Sequence, residues 1–305
     1  MTHIDGGVCA AKGFVAGGIH CGIRKNKTKK DLALIFSATP ANAAAVYTKN
    51  LVKGAPLLVT KENIQNGKAR AILCNSGNAN TCNANGIDMA NAMCQLAADG
   101  LHIPADDVIV ASTGVIGQPL SIAPIQAGMP ALVASLGQNS RDAAEGIMTT
   151  DTVLKETAVA FTLGGKTCHL GGIAKGSGMI HPDMATMLVF LTTDAAISPA
   201  LLQKALSTDV QSTFNMVSVD GDTSTNDMVE GALYIGGQGF LEHLQHGQRG
   251  RRYLHQRYGC DSGKRASRKP RNHRRKSGFC CFHGSFEYRD RVSVPHDRRR
   301  RRRGN

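Results

Sequence analysis

The 305-residue chain contains no tryptophan, and aromatic residues make up only 5% of it. It also contains no run of 18 or more apolar residues, so no segment is predicted to cross a membrane as a helix. The N-terminus, MTHIDGGVCAAKGF, has no basic region followed by an apolar one, so no signal peptide is predicted. These absences favour a cytoplasmic protein with no membrane partner. A hydrophobic content of 42% is enough for one large or two medium-sized cores.

Two kinds of binding motif are absent as well. The sequence has no GxxxxGK[ST] segment, which argues against a P-loop nucleotide site, and no cofactor is predicted. None of the nine cysteines lies in a CxxC pair, and the spacing of Cys260, Cys280 and Cys281 does not suit zinc, so no metal is predicted. In a cytosolic chain the other six are expected to be reduced thiols in or near the core. They are Cys9, Cys21, Cys74, Cys82, Cys94 and Cys168.

The net charge of +13 is distributed very unevenly along the chain. Residues 248–305 hold 20 of the 36 Lys and Arg residues but only 4 of the 23 Asp and Glu residues, a balance of +16. The first 247 residues therefore carry a balance of −3. Because the basic segment has almost no apolar periodicity, it cannot bury enough surface to offset the entropy of ordering, and disorder is expected there.

The first 235 residues contain both strand and helix patterns. Short apolar runs predict strands, a hairpin is predicted at Gly164-Gly165, and Ser198-Pro199 is typical of a helix N-terminus. The segment SIAPIQAGMPALVASLG is predicted to be helical but broken by its prolines. There is no strict alternation of strand and helix, which points to a layered α/β or α+β fold.

One hydroxyl lies at the start of an apolar strand, directly after a glycine- and proline-containing loop, in AKGSGMIHPDMATMLVFLTTDA (174–195). If the Ala185–Thr186 bond is cut, the new α-amine of Thr186 has an ordinary pKa of about 7.7–8.0. That amine can act as the base for its own hydroxyl, an arrangement used by threonine nucleophiles. Thr113 and Gly114 offer a hydroxyl and a backbone N–H suited to an oxyanion, and Lys175 could pair with a substrate carboxylate.

Each of these features also has a structural interpretation. A threonine at the start of a strand is usually a β-former, STGVIG is usually a strand-to-loop turn, and a single lysine is usually solvated. From these local patterns alone, the sequence indicates only a cytosolic α/β enzyme of the hydrolase or transferase class.

Six segments add a resemblance because they occur together and in one order: NSGNAN, VASTGVIG, IMTTDT, GGIAKGSGMIHP, MATMLVFLTTDAAIS and DGDTSTND. Over about residues 5–230 the chain resembles the bifunctional ornithine acetyltransferase / glutamate N-acetyltransferase family of arginine biosynthesis. The resemblance implies an enzyme that cleaves itself before the threonine of MAT, and a layered α/β sandwich fold. It also implies a ping-pong exchange in which that threonine carries the acetyl group, and assembly as an α2β2 heterotetramer.

By this resemblance Thr186 is the nucleophile and substrate-binding new N-terminus, cleavage falls between Ala185 and Thr186, and Thr113 with Gly114 forms the oxyanion hole. Lys175 matches the family's substrate-binding lysine. The substrate-binding threonine is matched to Thr152, with Thr149 as the alternative. Asp183 replaces the family's usual asparagine and is expected to alter the rate of cleavage.

The same resemblance divides the chain into an α chain (1–185), the start of a β chain (186–240) and a basic tail (241–305). After residue 227 the family's further β-chain half, with its EGATK-like glutamate, is not found, so this C-terminal half is interpreted as truncated or replaced. A shifted reading frame near residues 235–247 is the hypothesis. A chain lacking that half is expected to transfer little acetyl.

Three functions compete. The first is an acyltransferase that moves acetyl from N2-acetylornithine, or from acetyl-CoA as co-substrate, to glutamate. The second is a related N-terminal-nucleophile aminopeptidase or amidase, which releases the acyl group to water. The third is an arginine-tailed nucleic-acid binder, disfavoured because no aromatic or groove-reading element accompanies the arginines, so specific nucleic-acid binding is not expected.

Overall fold

The structure, a computed structural model, describes residues 1–177, 187–216 and 224–232, with the side chains of 230–232 outside the description. The predicted tail (241–305), residues 178–186 and most of the predicted strand in MVSVD fall outside these ranges. The described strands are β1 Thr2–Ile4, β2 Phe14–Ile19, β3 Leu32–Asn42, β4 Ala44–Tyr47, β5 Lys68–Asn78, β6 Val108–Val115, β7 Lys155–Leu163, β8 Lys166–Lys175, β9 Leu188–Thr193 and β10 Met228–Ala232. The described α-helices are α1 Ala55–Asn63, α2 Gly86–Leu101, α3 Ala123–Ala134, α4 Ser140–Ile147 and α5 Pro199–Ser212.

The strands form two sheets. The first has six strands in the order β1-β7-β8-β9-β10-β4, and the second has four in the order β2-β3-β5-β6. Most neighbouring strands are antiparallel, whereas β9 with β10 and β5 with β6 are parallel. This mixed topology of two sheets packed with helices confirms the layered α+β architecture expected from the sequence.

Both faces of each sheet are buried, which explains why the central strands are continuous apolar runs rather than alternating ones. In β9, Leu188 and Phe190 face the core between the two sheets, while Val189 and Leu191 face the outer core under α5. In the same way β3 and β5 send alternate residues into the central core and into an outer core covered by α2 and α3. Helix α4 contributes Ile147 to the central core.

The local signals for turns and helix starts are confirmed. Gly164 and Gly165 connect β7 to β8 with φ values of 57° and 76°, as a tight hairpin turn of this hand requires. Ser198 precedes α5 and accepts a hydrogen bond from the amide of Leu201 at 3.4 Å, with Pro199 at the first helical position. The ends of β7, β8 and β9 are therefore set by local sequence.

Two expectations need correction. The prolines do not break α3, because Pro124 lies in its first turn and Pro130 is accommodated inside a helix that runs from 123 to 134. Cys82 is exposed, unlike the four buried thiols Cys9, Cys74, Cys94 and Cys168. All six cysteines of the described ranges are free thiols.

Candidate active site

Three of the predicted site residues lie at the ends of two strands, one in each sheet. Thr113 and Gly114 lie near the C-terminal end of β6, and Lys175 is the last residue of β8. Lys175 pairs with Leu188, the first residue of β9, so the chain after the predicted cleavage point begins beside this lysine. The fold therefore brings together residues that are 62 positions apart in sequence.

The central contact is a hydrogen bond from the Lys175 ammonium to the hydroxyl of Thr113, with 3.1 Å between Nζ and Oγ1. Both side chains are buried, Lys175 with 2% of its surface exposed and Thr113 with 5%. Because an ammonium can only donate, Thr113 Oγ1 must be the acceptor here. The hydroxyl hydrogen of Thr113 has no second partner among the described residues, so it is available to another oxygen.

Burial lowers the pKa of Lys175, since it penalises the charged form. The negative charges of Asp151 and Asp227 act in the opposite direction and favour the ammonium. Cys74 also acts to raise the pKa of Lys175, and the charge of Lys155 acts to lower it. Lys175 is thus a buried lysine between two carboxylates, and such perturbed groups concentrate at functional sites.

Gly114 follows Thr113 directly and, unlike Thr113, is exposed. Its φ of 135° is a value that residues with a side chain rarely adopt, and β6 passes very close to β5 here. A Cβ on Gly114 would lie 2.3 Å from the carbonyl carbon of Gly77. The close approach to β5 therefore fixes the backbone of Gly114, which is exposed to solvent at the candidate site.

Thr149 and Thr152 lie in the loop that follows α4, where Thr152 is exposed and Thr149 half-buried. Asp151 ties this loop to the end of β8, because one carboxylate oxygen accepts the Gly176 amide at 2.8 Å and the Lys155 ammonium at 2.6 Å. Burial alone would raise the pKa of Asp151, but Lys155, Lys175 and the Gly176 amide lower it overall. The loop is therefore anchored beside Lys175, while the choice between the two threonines stays a prediction.

The predicted cleavage residues Ala185 and Thr186, and also Asp183, lie outside the described residues. The description resumes at Met187, which is buried. Its amide donates to Asp227 Oδ1 at 2.8 Å, and its carbonyl accepts from the amide of Met228 at 3.2 Å. The segment that follows Thr186 is thus firmly attached to β10.

The sequence analysis did not single out Asp151, Asn226 or Asp227. The two segments that contain them, TTDT and DGDTSTND, contribute to the resemblance. Both are rich in hydroxyl and carboxyl groups, as many surface loops are, and only the fold shows that these three side chains are buried. A sequence does not show which carboxylates will be buried or which groups they will pair with.

A cleft of about 550 Å³ lies at the opposite end of β8 and β9, away from Thr113 and Lys175. Its lining includes Lys12, Lys166 and Asp194, and none of the predicted site residues.

Within the described ranges, no group of three His, Cys, Asp or Glu side chains is arranged to hold a metal ion. No described helix is both long enough and apolar enough to span a bilayer.

Comparison with known proteins identifies the family. The sequence model of the ArgJ family matches residues 15–235, which is most of the chain. The chain belongs to the ArgJ family. This member is 51% identical over 231 residues to the arginine biosynthesis bifunctional protein ArgJ of Listeria monocytogenes, a match that covers 75% of this chain and 57% of the relative. For the Symbiobacterium thermophilum protein of the same name, identity is 50% over 232 residues, covering 75% and 58%.

Two solved structures resemble this ArgJ-family chain. The crystal structure of ArgJ from Bacillus halodurans matches with a TM-score of 0.55 and 44% identity, over 60% of this chain and 97% of the solved one. The ornithine acetyltransferase of Mycobacterium tuberculosis, solved in complex with ornithine, matches with a TM-score of 0.54 and 36% identity, over 59% and 97%. The chain thus spans somewhat more than half the length of its curated relatives, and the family match ends where the basic composition begins.

Proposed function

We propose that this chain is an autoprocessing acyltransferase of the kind that moves an acetyl group from N2-acetylornithine to glutamate in arginine biosynthesis, with acetyl-CoA as a second donor, and that without the family's further β-chain half it transfers little acetyl. Its membership of the ArgJ family supports the reaction class. The observation that carries the proposal is the buried contact between Lys175 and Thr113. In this contact the hydroxyl hydrogen of Thr113 stays available to another oxygen, the next residue Gly114 is exposed, and Lys175 pairs with Leu188 at the start of β9.

In the proposed self-cleavage, the Thr186 hydroxyl attacks the carbonyl carbon of Ala185. The bond from that carbon to the Thr186 nitrogen breaks, and water then hydrolyses the ester. The negative oxygen that forms is stabilised by the hydroxyl of Thr113 and the N–H of Gly114. Donors fixed in this way act mainly on the transition state, and losing one costs on the order of 10²–10³ in kcat in other acyl-transfer enzymes.

In the proposed transfer, the same hydroxyl attacks the acetyl carbon of N2-acetylornithine, and ornithine leaves with the proton that the Thr186 amine took from the hydroxyl. The amine of glutamate then attacks the acetyl-threonine and regenerates the free hydroxyl. We propose that Lys175 and Thr152 bind substrate. We also propose that the protein is cytoplasmic and that the processed chains assemble as an α2β2 heterotetramer.

The test begins with a denaturing gel and N-terminal sequencing. The proposal expects two fragments, the second beginning Thr-Met-Leu-Val, from the unaltered chain, and a single chain from Thr186→Ala. Two fragments from Thr186→Ala would remove Thr186 from its role. Thr113→Ala should slow cleavage by about 10²-fold.

Transfer is measured separately, by incubating the chain and a frame-restored version with N2-acetylornithine, with and without glutamate. Formation of N-acetylglutamate by the frame-restored version, with little from the chain itself, supports the transferase, whereas comparable turnover from both would refute the expected loss. Release of acetate at the same rate with and without glutamate would instead identify an amidase.

A further inference from the structure

Asn226 and Asp227 lie directly before β10, and both side chains are buried, with 5% and 1% of their surfaces exposed. Asp227 Oδ1 accepts the amide hydrogen of Met187 at 2.8 Å. That amide nitrogen is joined to the carbonyl carbon of Thr186, so the hydrogen bond acts two covalent bonds from the Thr186 Cα. Asp227 therefore holds Met187, the residue between the proposed nucleophile and β9.

Asn226 reaches the other half of the proposed site. Its amide Nδ2 donates to the carbonyl of Ser112, the residue before Thr113, at 3.0 Å, and also to the carbonyl of Ala79. Its Oδ1 accepts from two hydroxyls, those of Thr81 and Thr225. All the hydrogen-bonding atoms of the Asn226 side chain are thus engaged, and its contact with β6 lies next to the predicted oxyanion donor.

Charge forms a third link between these elements. Asp227 is close enough to Lys175 to favour its ammonium form, together with Asp151 and Cys74 and against Lys155. Lys175 in turn donates to Thr113. Two adjacent residues directly before β10 therefore hydrogen-bond to the residue before β9 and to β6, and the charge of one of them acts on Lys175.

We propose that Asn226 and Asp227 are positioning residues that fix the start of β9, which follows the proposed nucleophile, relative to the strand β6 that carries Thr113. This inference rests on the proposed function. Asp227 sets the start of β9 and adds a negative charge that favours the ammonium form of Lys175, while Asn226 holds β6 at Ser112. Neither residue touches the reacting atoms in this scheme. A displacement of about 1 Å in such an arrangement typically costs about 10²-fold in rate.

The experiment follows self-cleavage of freshly made chain in cell-free translation, sampled over time on denaturing gels. Asp227→Ala removes both the acceptor and the charge, and should slow cleavage by about 10²-fold. Asp227→Asn keeps an oxygen for the Met187 amide and loses only the charge, so it should retain more activity than Asp227→Ala. Asn226→Asp loses the donors to Ser112 and Ala79, and it should also slow cleavage.

The matched control is Asp194→Asn. Asp194 follows the other end of β9 and likewise accepts a backbone amide, that of His169 at 2.7 Å, but lies far from the site. It should cleave at the unaltered rate. The pH profile of cleavage is a measurement that a merely structural role would not change. Without the negative charge of Asp227, Lys175 loses its proton more easily. The alkaline limb of the cleavage rate should therefore move to lower pH in Asp227→Asn.

The outcomes separate the two proposals. An unaltered chain that is never cut before Thr186 overturns the proposed function itself. If the unaltered chain is cut and a folded Asp227→Asn matches it in rate and pH profile, the positioning role is wrong. Circular dichroism of each variant establishes folding, and Asp227→Asn keeps the test decisive where Asp227→Ala does not fold.

Discussion

Replacing Gly114 by alanine should destabilise the fold far more than the same replacement at another glycine of positive φ. The added Cβ would lie 2.3 Å from the carbonyl carbon of Gly77 and 2.6 Å from the nitrogen of Asn78. Both are backbone atoms of β5 and cannot rotate away, so the β5–β6 pairing must open. Gly117, with φ 76° and nothing within 4 Å of an added methyl group, is the matched control.

The magnitude follows from separating two costs. The unfavourable φ alone costs on the order of 1–3 kcal/mol and applies to both variants. The overlap with β5 adds about 1–3 kcal/mol, the usual cost of overpacking, and applies only to Gly114→Ala. With a urea m-value of about 1–3 kcal/mol per M, the second cost should separate the two unfolding midpoints by roughly 1 M.

The assay is urea unfolding followed by far-UV circular dichroism, carried out in a Thr186→Ala background so that every sample is one uncut chain. Equal free energies of unfolding for Gly114→Ala and Gly117→Ala would refute the reasoning. That result would mean that β5 and β6 do not approach each other closely at Gly77 and Gly114.

Three further predictions concern stability and reactivity. Thr60→Val should cost on the order of 2–3 kcal/mol by urea unfolding despite its similar shape, because the buried Thr60 hydroxyl satisfies both the N–H and the C=O of Val110 on the edge strand β6. In native protein at pH 8, iodoacetamide should label exposed Cys82 but not Cys74, whose pKa burial raises to about 12, and peptide mass spectrometry would show the difference. Burial acts to raise the pKa of Asp194, but a histidine and two backbone amides lower it overall. The contribution of Asp194 to the stability of the fold is therefore complete above pH of about 4 and is lost as pH falls through the lowered pKa. Asp194→Asn should therefore lower the Tm at neutral pH and flatten its decline in acid, as differential scanning fluorimetry would measure.

Much of the local structure could be predicted from the sequence because it depends on neighbouring residues. The Gly164-Gly165 turn and the Ser198 cap with Pro199 are properties of two or three consecutive residues, and the structure has both. The family resemblance rests in the same way on short segments read in order. Helix α1 and strand β10 are not predictable in this way, since α1 has a weak apolar face and β10 depends on pairing with β4 and β9. Local pattern also predicts a helix break at Pro130, yet packing keeps α3 intact around it.

The candidate site, too, could be predicted only in part from the sequence. Sequence alone selected Thr113, Gly114 and Lys175 as chemical groups, and it predicted a nucleophile at Thr186. Only the tertiary structure placed the Lys175 ammonium 3.1 Å from Thr113 and made both side chains buried. Only the fold, too, brought Asp227 to the Met187 amide across 40 residues of chain. The physical reason is that burial and charge pairing arise between strands that are far apart in sequence, and no local pattern encodes which strands will meet.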